Sequence, residues 1–231
     1  MTDPRFAHDA SPVANAQLAS DRLKIAEIFH SIQGEALFSG WPTVFVRLTG
    51  CPLRCQYCDT AYAFTGGEWR AIGDIVAEVQ RHGTRYVCVT GGEPLAQPRC
   101  LPLLTALCDA GCAVSLETSG AFDIGAVDAR VSRIVDIKTP GSQEMHRNRL
   151  ENIELLTERD ALKLVICSRA DYEWARDWLD EYPGLPCPVF FSPSYEEMPA
   201  QSLADWILAD RLPVRLQLQV HKLLWGNVPG R

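Results

Sequence analysis

No run of uncharged apolar residues in this chain approaches the ~18 that a membrane-spanning helix needs, which argues against a membrane partner. Nor does any stretch gather Lys and Arg: 22 basic residues stand against 29 acidic ones, for a net charge of -7. A surface built to track phosphates requires the opposite balance, so nucleic acid is excluded as the main ligand. The first twenty residues, MTDPRFAHDASPVANAQLAS, lack the central apolar block of a secretory signal and are expected to form a flexible leader over 1–20. Internal repeats, low-complexity tracts and a domain linker are likewise missing, and a single domain over 21–231 is expected. The nine cysteines are an odd number in a chain without an export signal, which speaks against a disulfide framework. Reduced thiols and a soluble, cytoplasmic protein are the expectation.

The rest of the chain alternates β-branched runs with segments of helical period. Strands are expected at LKIAEIF (23–29), TVFVRLT (43–49), RYVCVT (85–90), AVSLET (113–118), RIVDIK (133–138), ALKLVI (161–166), PVFFS (188–192) and VRLQLQV (214–220). Helices are expected over 71–82, 98–110, 171–182 and 201–210. This alternation predicts an α/β fold with a parallel sheet, either doubly wound and open or closed into a complete or partial barrel. In both, functional residues follow the strands' carboxyl ends. Four unusual segments do so: a cysteine loop after TVFVRLT, TGGEP after RYVCV, ETSG after AVSL and KTPGS after RIVDI.

Cys51, Cys55 and Cys58 form C-x3-C-x2-C. Structural zinc prefers four ligands in paired spacings, and no second C-x2-C exists to complete such a site. An iron–sulfur cubane held by three thiolates keeps one iron open for an external ligand. The plain alternative is three core cysteines in a turn, but their clustering just past a strand end argues against it. The other six, Cys88, Cys100, Cys108, Cys112, Cys167 and Cys187, sit mostly among apolar neighbours and read as packing residues, with Cys108 and Cys112 kept as a weak metal pair.

The spacing, with aromatic Tyr57 before the last cysteine, resembles the cluster loop of radical S-adenosylmethionine (SAM) enzymes. That resemblance implies a [4Fe-4S] cluster on Cys51, Cys55 and Cys58, SAM on the open iron, and a partial (β/α)6 TIM-like barrel. In TGGEP, paired glycines allow close backbone approach and Glu93 is an acceptor suited to an ammonium; taken alone the segment reads equally as a turn leading into a helix. With the cysteines it resembles the superfamily segment that holds the SAM amino group, implying SAM contacts at Gly92 and Glu93.

The ordered set EIFHSIQGEA (27–36), GWPTVFVRLTGC (40–51), CDT (58–60), TGGEP (90–94), ETSG (117–120) and QLQVHK (217–222) is similar to the 7-carboxy-7-deazaguanine synthase family. Membership would imply conversion of 6-carboxy-5,6,7,8-tetrahydropterin to 7-carboxy-7-deazaguanine with loss of ammonia, on the route to 7-deazapurines such as queuosine. It would also imply Mg²⁺, an external one-electron reductant of flavodoxin or ferredoxin type, and a homodimer.

By the same resemblance Tyr57, Cys58 and Asp59 line the SAM adenine side, Ile32, Gln33 and Gly34 contact the pterin, and Thr90, Glu117 and His221 face the substrate. Thr60 offers Mg²⁺ a hard oxygen. Arg47, a charge within an apolar strand, needs a carboxylate partner, and the substrate carries one. Two segments depart from the family pattern: Asp136, Ile137 and Lys138, and Ser192, Pro193, Ser194 and Tyr195, both expected on the SAM side. In VRLQLQVHK, period 2 would put Arg215, Gln217, Gln219 and His221 on one strand face, a solvated face or one belonging to the site. A glycyl-radical activase shares the cluster loop and is the nearer alternative function; a colourless zinc module is the farther one.

Overall fold

The computed structural model describes residues 21–230, so the leader expected over 1–20 lies outside the described residues. The strands are β1 (Arg22–Ile32), β2 (Pro42–Leu48), β3 (Glu68–Ala71), β4 (Tyr86–Gly91), β5 (Ala113–Thr118), β6 (Ser132–Asp136), β7 (Ala161–Ile166), β8 (Val189–Pro193) and β9 (Arg215–Leu216). They form one sheet in the order β3-β1-β2-β4-β5-β6-β7-β8-β9. From β2 to β9 every pairing is parallel, while β1 runs antiparallel to both β2 and β3. The helices are α1 (Ile72–Arg81), α2 (Cys100–Asp109), α3 (Arg169–Glu181), α4 (Ala200–Asp210) and α5 (Val220–Trp225). Among the described residues no helix is long and apolar enough to cross a membrane.

Alternation along the parallel strands assigns their two faces. Val44, Val46 and Leu48, Val87 and Val89, Val114 and Leu116, and Leu162, Leu164 and Ile166 join one buried cluster with Ile75, Leu103, Leu107, Tyr172 and Leu203 of the helices. The intervening residues therefore share the opposite face. A small apolar group of Ala36, Ile134, Ala161 and Phe190 is buried separately from the helix-covered core, and Arg47, Thr90, Glu117, Asp136 and Lys163 line a cavity at the carboxyl ends. Register adds to this: Arg47 is paired with Thr90, and Asp136 with Lys163.

The sheet curves far enough for segments following its first and ninth strands to meet. Ala36 N donates to Gln217 Oε1 at 2.6 Å, and Val220 N donates to Gly34 O at 3.1 Å. The result is a barrel-like α/β fold with one mouth.

One expectation needs correction, and two further features were not read from the sequence. β3 was not foreseen, because EWRA is short and pairs as an antiparallel edge with Arg22–Ile25. The strand expected over 214–220 shrinks to Arg215–Leu216, and the chain turns helical at Val220. Hence His221 stands in the first turn of α5 rather than at a strand tip, and Arg215 is exposed over the Phe190 ring. The β5–β6 and β6–β7 connections carry no α-helix, the latter only 3-10 turns such as Leu150–Leu155. Cys88, Cys100, Cys108 and Cys187 are buried, in keeping with a packing role.

Candidate active site

The cavity at the carboxyl ends measures about 440 Å³, within the range of small-molecule sites. On one wall Arg47 Nε donates to Glu27 Oε1 at 2.8 Å, and its guanidinium lies 5.7 Å from the Phe29 ring and 5.8 Å from the Tyr62 ring. The carboxylate that Arg47 requires is thus supplied from β1. Beside it, Thr90 Oγ1 donates to Glu117 Oε2 at 2.8 Å and Gln33 Nε2 to Glu117 Oε1 at 3.3 Å. Gln33 Oε1 accepts from Glu35 N at 3.2 Å, which fixes the amide's orientation.

The floor is a chain of buried charges. Lys163 Nζ contacts Glu35 Oε2 at 2.9 Å and Asp136 Oδ1 at 3.4 Å, and Lys138 Nζ contacts Asp136 Oδ2 at 2.6 Å. Burial pushes the Glu35 carboxyl up, but Lys163 and Gln219 more than offset this and hold it below its usual 4.5. Burial is likewise outweighed at Asp136 by Lys138 and Lys163, and at Lys163 by Asp136 and Glu35. All members therefore stay ionised, as paired buried charges must. Glu35 also accepts from Gln217 Nε2 at 3.2 Å and Gln219 Nε2 at 2.7 Å, while Gln217 N donates to Phe191 O of β8 at 2.9 Å.

The cysteine loop forms the opposite wall. Arg54 Nη1 donates to Cys51 O at 2.8 Å and Leu53 O at 2.6 Å while its guanidinium lies over Phe64 at 4.3 Å. Gln56 N donates to Ser142 O at 3.1 Å. Burial raises the Cys51 and Cys55 thiols above the usual 9.0, with Lys138 the cation opposing it. Among the described residues no three His, Cys, Asp or Glu side chains stand in a ready-made metal cage, these cysteines included. Thiols must lose their protons to bind a metal, so cluster binding and deprotonation are coupled. The donor set fits an iron–sulfur cluster: three thiols reach one cavity, and a β-carbon on Gly92 would press on Cys51 Cβ at 2.7 Å. Tyr57 Oη is buried without a hydrogen-bond partner beside them, and it also lines the cavity.

Of the residues expected from the sequence, Gln33, Arg47, Cys51, Cys55, Tyr57, Cys58, Asp59, Thr60, Thr90, Gly92, Glu117, Asp136, Lys138, His221 and the whole of Ser192–Tyr195 line this cavity. Ile32, Gly34, Glu93 and Ile137 do not. Ile137 packs in the helix-covered core. Glu93 is fully buried, and its carboxylate accepts from Ser119 N at 2.6 Å, Thr118 Oγ1 at 3.0 Å and Leu95 N at 2.9 Å. It ties the β4 tail to the β5 tail. Gly34 backs His221 from behind. His221 is pushed below its usual 6.5 by burial, with Glu35 opposing, and so is neutral above that pH. Asp59 is occupied by Lys222 Nζ at 2.5 Å and accepts from Thr60 Oγ1 at 2.9 Å. Although burial would raise it, Lys222 brings its carboxyl down to about 2.

Gln219, from the face that the sequence offered to the site, lines the cavity, as do Lys163, Glu35, Lys222 and Asn227, which were not singled out as site residues. Lys163 carries a usable signal, a charge in the middle of the apolar strand ALKLVI, the same argument that picks out Arg47.

Comparison with known proteins agrees with this geometry. The radical SAM superfamily pattern matches residues 45–138. The 7-carboxy-7-deazaguanine synthase of Chlorobaculum tepidum is 46% identical, over 88% of this chain and 94% of its own. That of Koribacter versatilis is 42% identical, over 88% and 97%. The crystal structure of QueE from Escherichia coli matches with a TM-score of 0.72 at 24% identity, covering 92% of this chain and 99% of that one; at this identity the likeness is one of fold.

Proposed function

This chain belongs to the 7-carboxy-7-deazaguanine synthase family of radical SAM enzymes, and from that membership we propose that its mouth binds 6-carboxy-5,6,7,8-tetrahydropterin and yields 7-carboxy-7-deazaguanine with release of ammonia. The observation carrying this reading is the meeting, around one cavity, of the three-cysteine loop with Arg47, Glu117, Thr90 and His221. The relatives favour the synthase reading over that of a partner-protein activase.

Cys51, Cys55 and Cys58 would hold the cluster, which with SAM supplies reductive cleavage and hydrogen abstraction at C6 of the pterin. The chain's own residues do the positioning. Arg47, already neutralised in part by Glu27, presents its remaining N–H groups to the substrate carboxylate. Glu117, held by Gln33 and Thr90, can only accept while ionised, so it suits the N–H donors of a pyrimidinone edge. Thr60 spends its proton on Asp59, leaving oxygen lone pairs for Mg²⁺, whose other ligands would be water and substrate oxygens. A flavodoxin- or ferredoxin-type protein is the proposed reductant, and the working form a homodimer.

The test is anaerobic incubation of reconstituted protein with SAM, reductant and the carboxypterin, with and without Mg²⁺, read by product mass. A product lighter than the substrate by one ammonia, and lost together with cluster absorbance in Cys55→Ala, is expected. An unchanged pterin in the presence of an intact cluster and SAM would refute the assignment.

A further inference from the structure

α5 is inverted in its burial. Its lysine, Lys222, is 6% exposed, whereas its neighbours Leu223 and Leu224 are 66% and 57% exposed. A six-residue helix that buries an ammonium and leaves its leucines to solvent gives up apolar burial, so the buried lysine calls for a reason of its own. The reason lies in what it touches. Lys222 Nζ meets Asp59 Oδ2 at 2.5 Å and sits 4.7 Å from the Tyr195 ring. Asp59 directly follows Cys58 and accepts from Thr60, Tyr195 ends the segment after β8, and His221 precedes Lys222 in the same turn.

We propose that Lys222 is a positioning residue that clasps three cavity walls together, fixing the Cys58–Thr60 turn and Tyr195 relative to His221. Its ammonium is directed at Asp59 and the Tyr195 ring. Its effect runs through Asp59, whose carboxylate it holds in place and so keeps Thr60 Oγ1 and the Tyr57–Asp59 backbone where a SAM-side ligand needs them. This rests on the synthase reading only in naming the ligands on either side.

The test compares Lys222→Met, which keeps the stem and removes the charge, with Lys222→Arg and Asp59→Asn in the reconstituted holoenzyme. Iron and sulfide content, melting temperature, SAM affinity by equilibrium binding, and kcat and KM for the carboxypterin are measured on each. Lys222→Met should keep its cluster and weaken SAM binding at least about tenfold, equivalent to about 1.4 kcal/mol. Lys222→Arg should recover most of that loss, and Asp59→Asn should reproduce it without adding to it in the double variant, because both break one contact. Unchanged SAM affinity in Lys222→Met and Asp59→Asn, or losses in SAM affinity that add in the double variant, would overturn the proposal. If Lys222→Met fails to fold, Asp59→Asn and Lys222→Arg decide alone. If wild type binds SAM and the variants shift it while no pterin is turned over, the substrate assignment fails and the clasp stands.

Discussion

Gly34 and His221 are in direct contact across the seam where the first and last segments of the sheet meet. A β-carbon on Gly34 would overlap His221 Nδ1 and crowd its Cγ at 2.9 Å, while Gly34 O accepts the hydrogen bond from Val220 N. Glycine is needed here for space, and the space is filled by the imidazole.

Gly34→Ala should therefore act on the site more than on the fold. The added methyl pushes His221 into the cavity, and kcat/KM for the carboxypterin is expected to fall about 10- to 100-fold. Melting temperature and cluster content should stay close to wild type, since the ring is half-buried at a rim that can yield. Steady-state kinetics beside a thermal scan checks this.

Glu35→Gln breaks the floor of the site at its most connected carboxylate. Lys163 keeps Asp136, so the loss should be about 2 kcal/mol, the scale of a hydrogen bond to a charged group, and less than the cost of orphaning a buried ion. The loss depends on pH. Glu35 is depressed below its usual 4.5 when folded, so the unfolded chain takes up its proton first as pH falls. Its contribution is complete above that value and fades as pH drops through the folded one. Denaturant unfolding should show the full difference between variant and wild type at pH 7 and a shrinking one below pH 4.5. Glu93, raised by burial, works in the opposite sense but is common to both proteins.

Thr60→Val and Thr60→Ser separate the hydroxyl from the shape of the side chain. Serine should retain stimulation by Mg²⁺. Valine should lose it, with activity about 10- to 100-fold down, the range found when a metal site is disturbed. Cluster absorbance should be equal in both, because the thiols are untouched.

Much of this was legible in the sequence where two independent signals coincided. The strands carrying Arg47, Thr90, Glu117 and Asp136 were readable because each joins an apolar run to an unusual tail, and period 2 then puts those side chains on one face. VRLQLQV shows how period can mislead. Gln219 does reach the cavity and both glutamine side chains donate to Glu35, yet the strand itself ends at Leu216, and an alternating pattern does not show where a ladder stops. α5 was invisible because six residues are too few for helical periodicity and because it buries Lys222 rather than its leucines. Glu93 shows another limit: a motif supplies a carboxylate but does not reveal its hydrogen bonds to neighbouring strand tails, here to Thr118 and Ser119.

The most direct test follows the hydrogen at C6 of the pterin. Carboxypterin carrying deuterium at C6, turned over anaerobically by the reconstituted enzyme with SAM, Mg²⁺ and reductant, should place deuterium in the 5'-deoxyadenosyl group, read in SAM and 5'-deoxyadenosine together, as 7-carboxy-7-deazaguanine forms; because only ammonia is lost, a hydrogen atom must return from that group to the product. Formation of 5'-deoxyadenosine without deuterium, and with the carboxypterin recovered intact, would contradict the account.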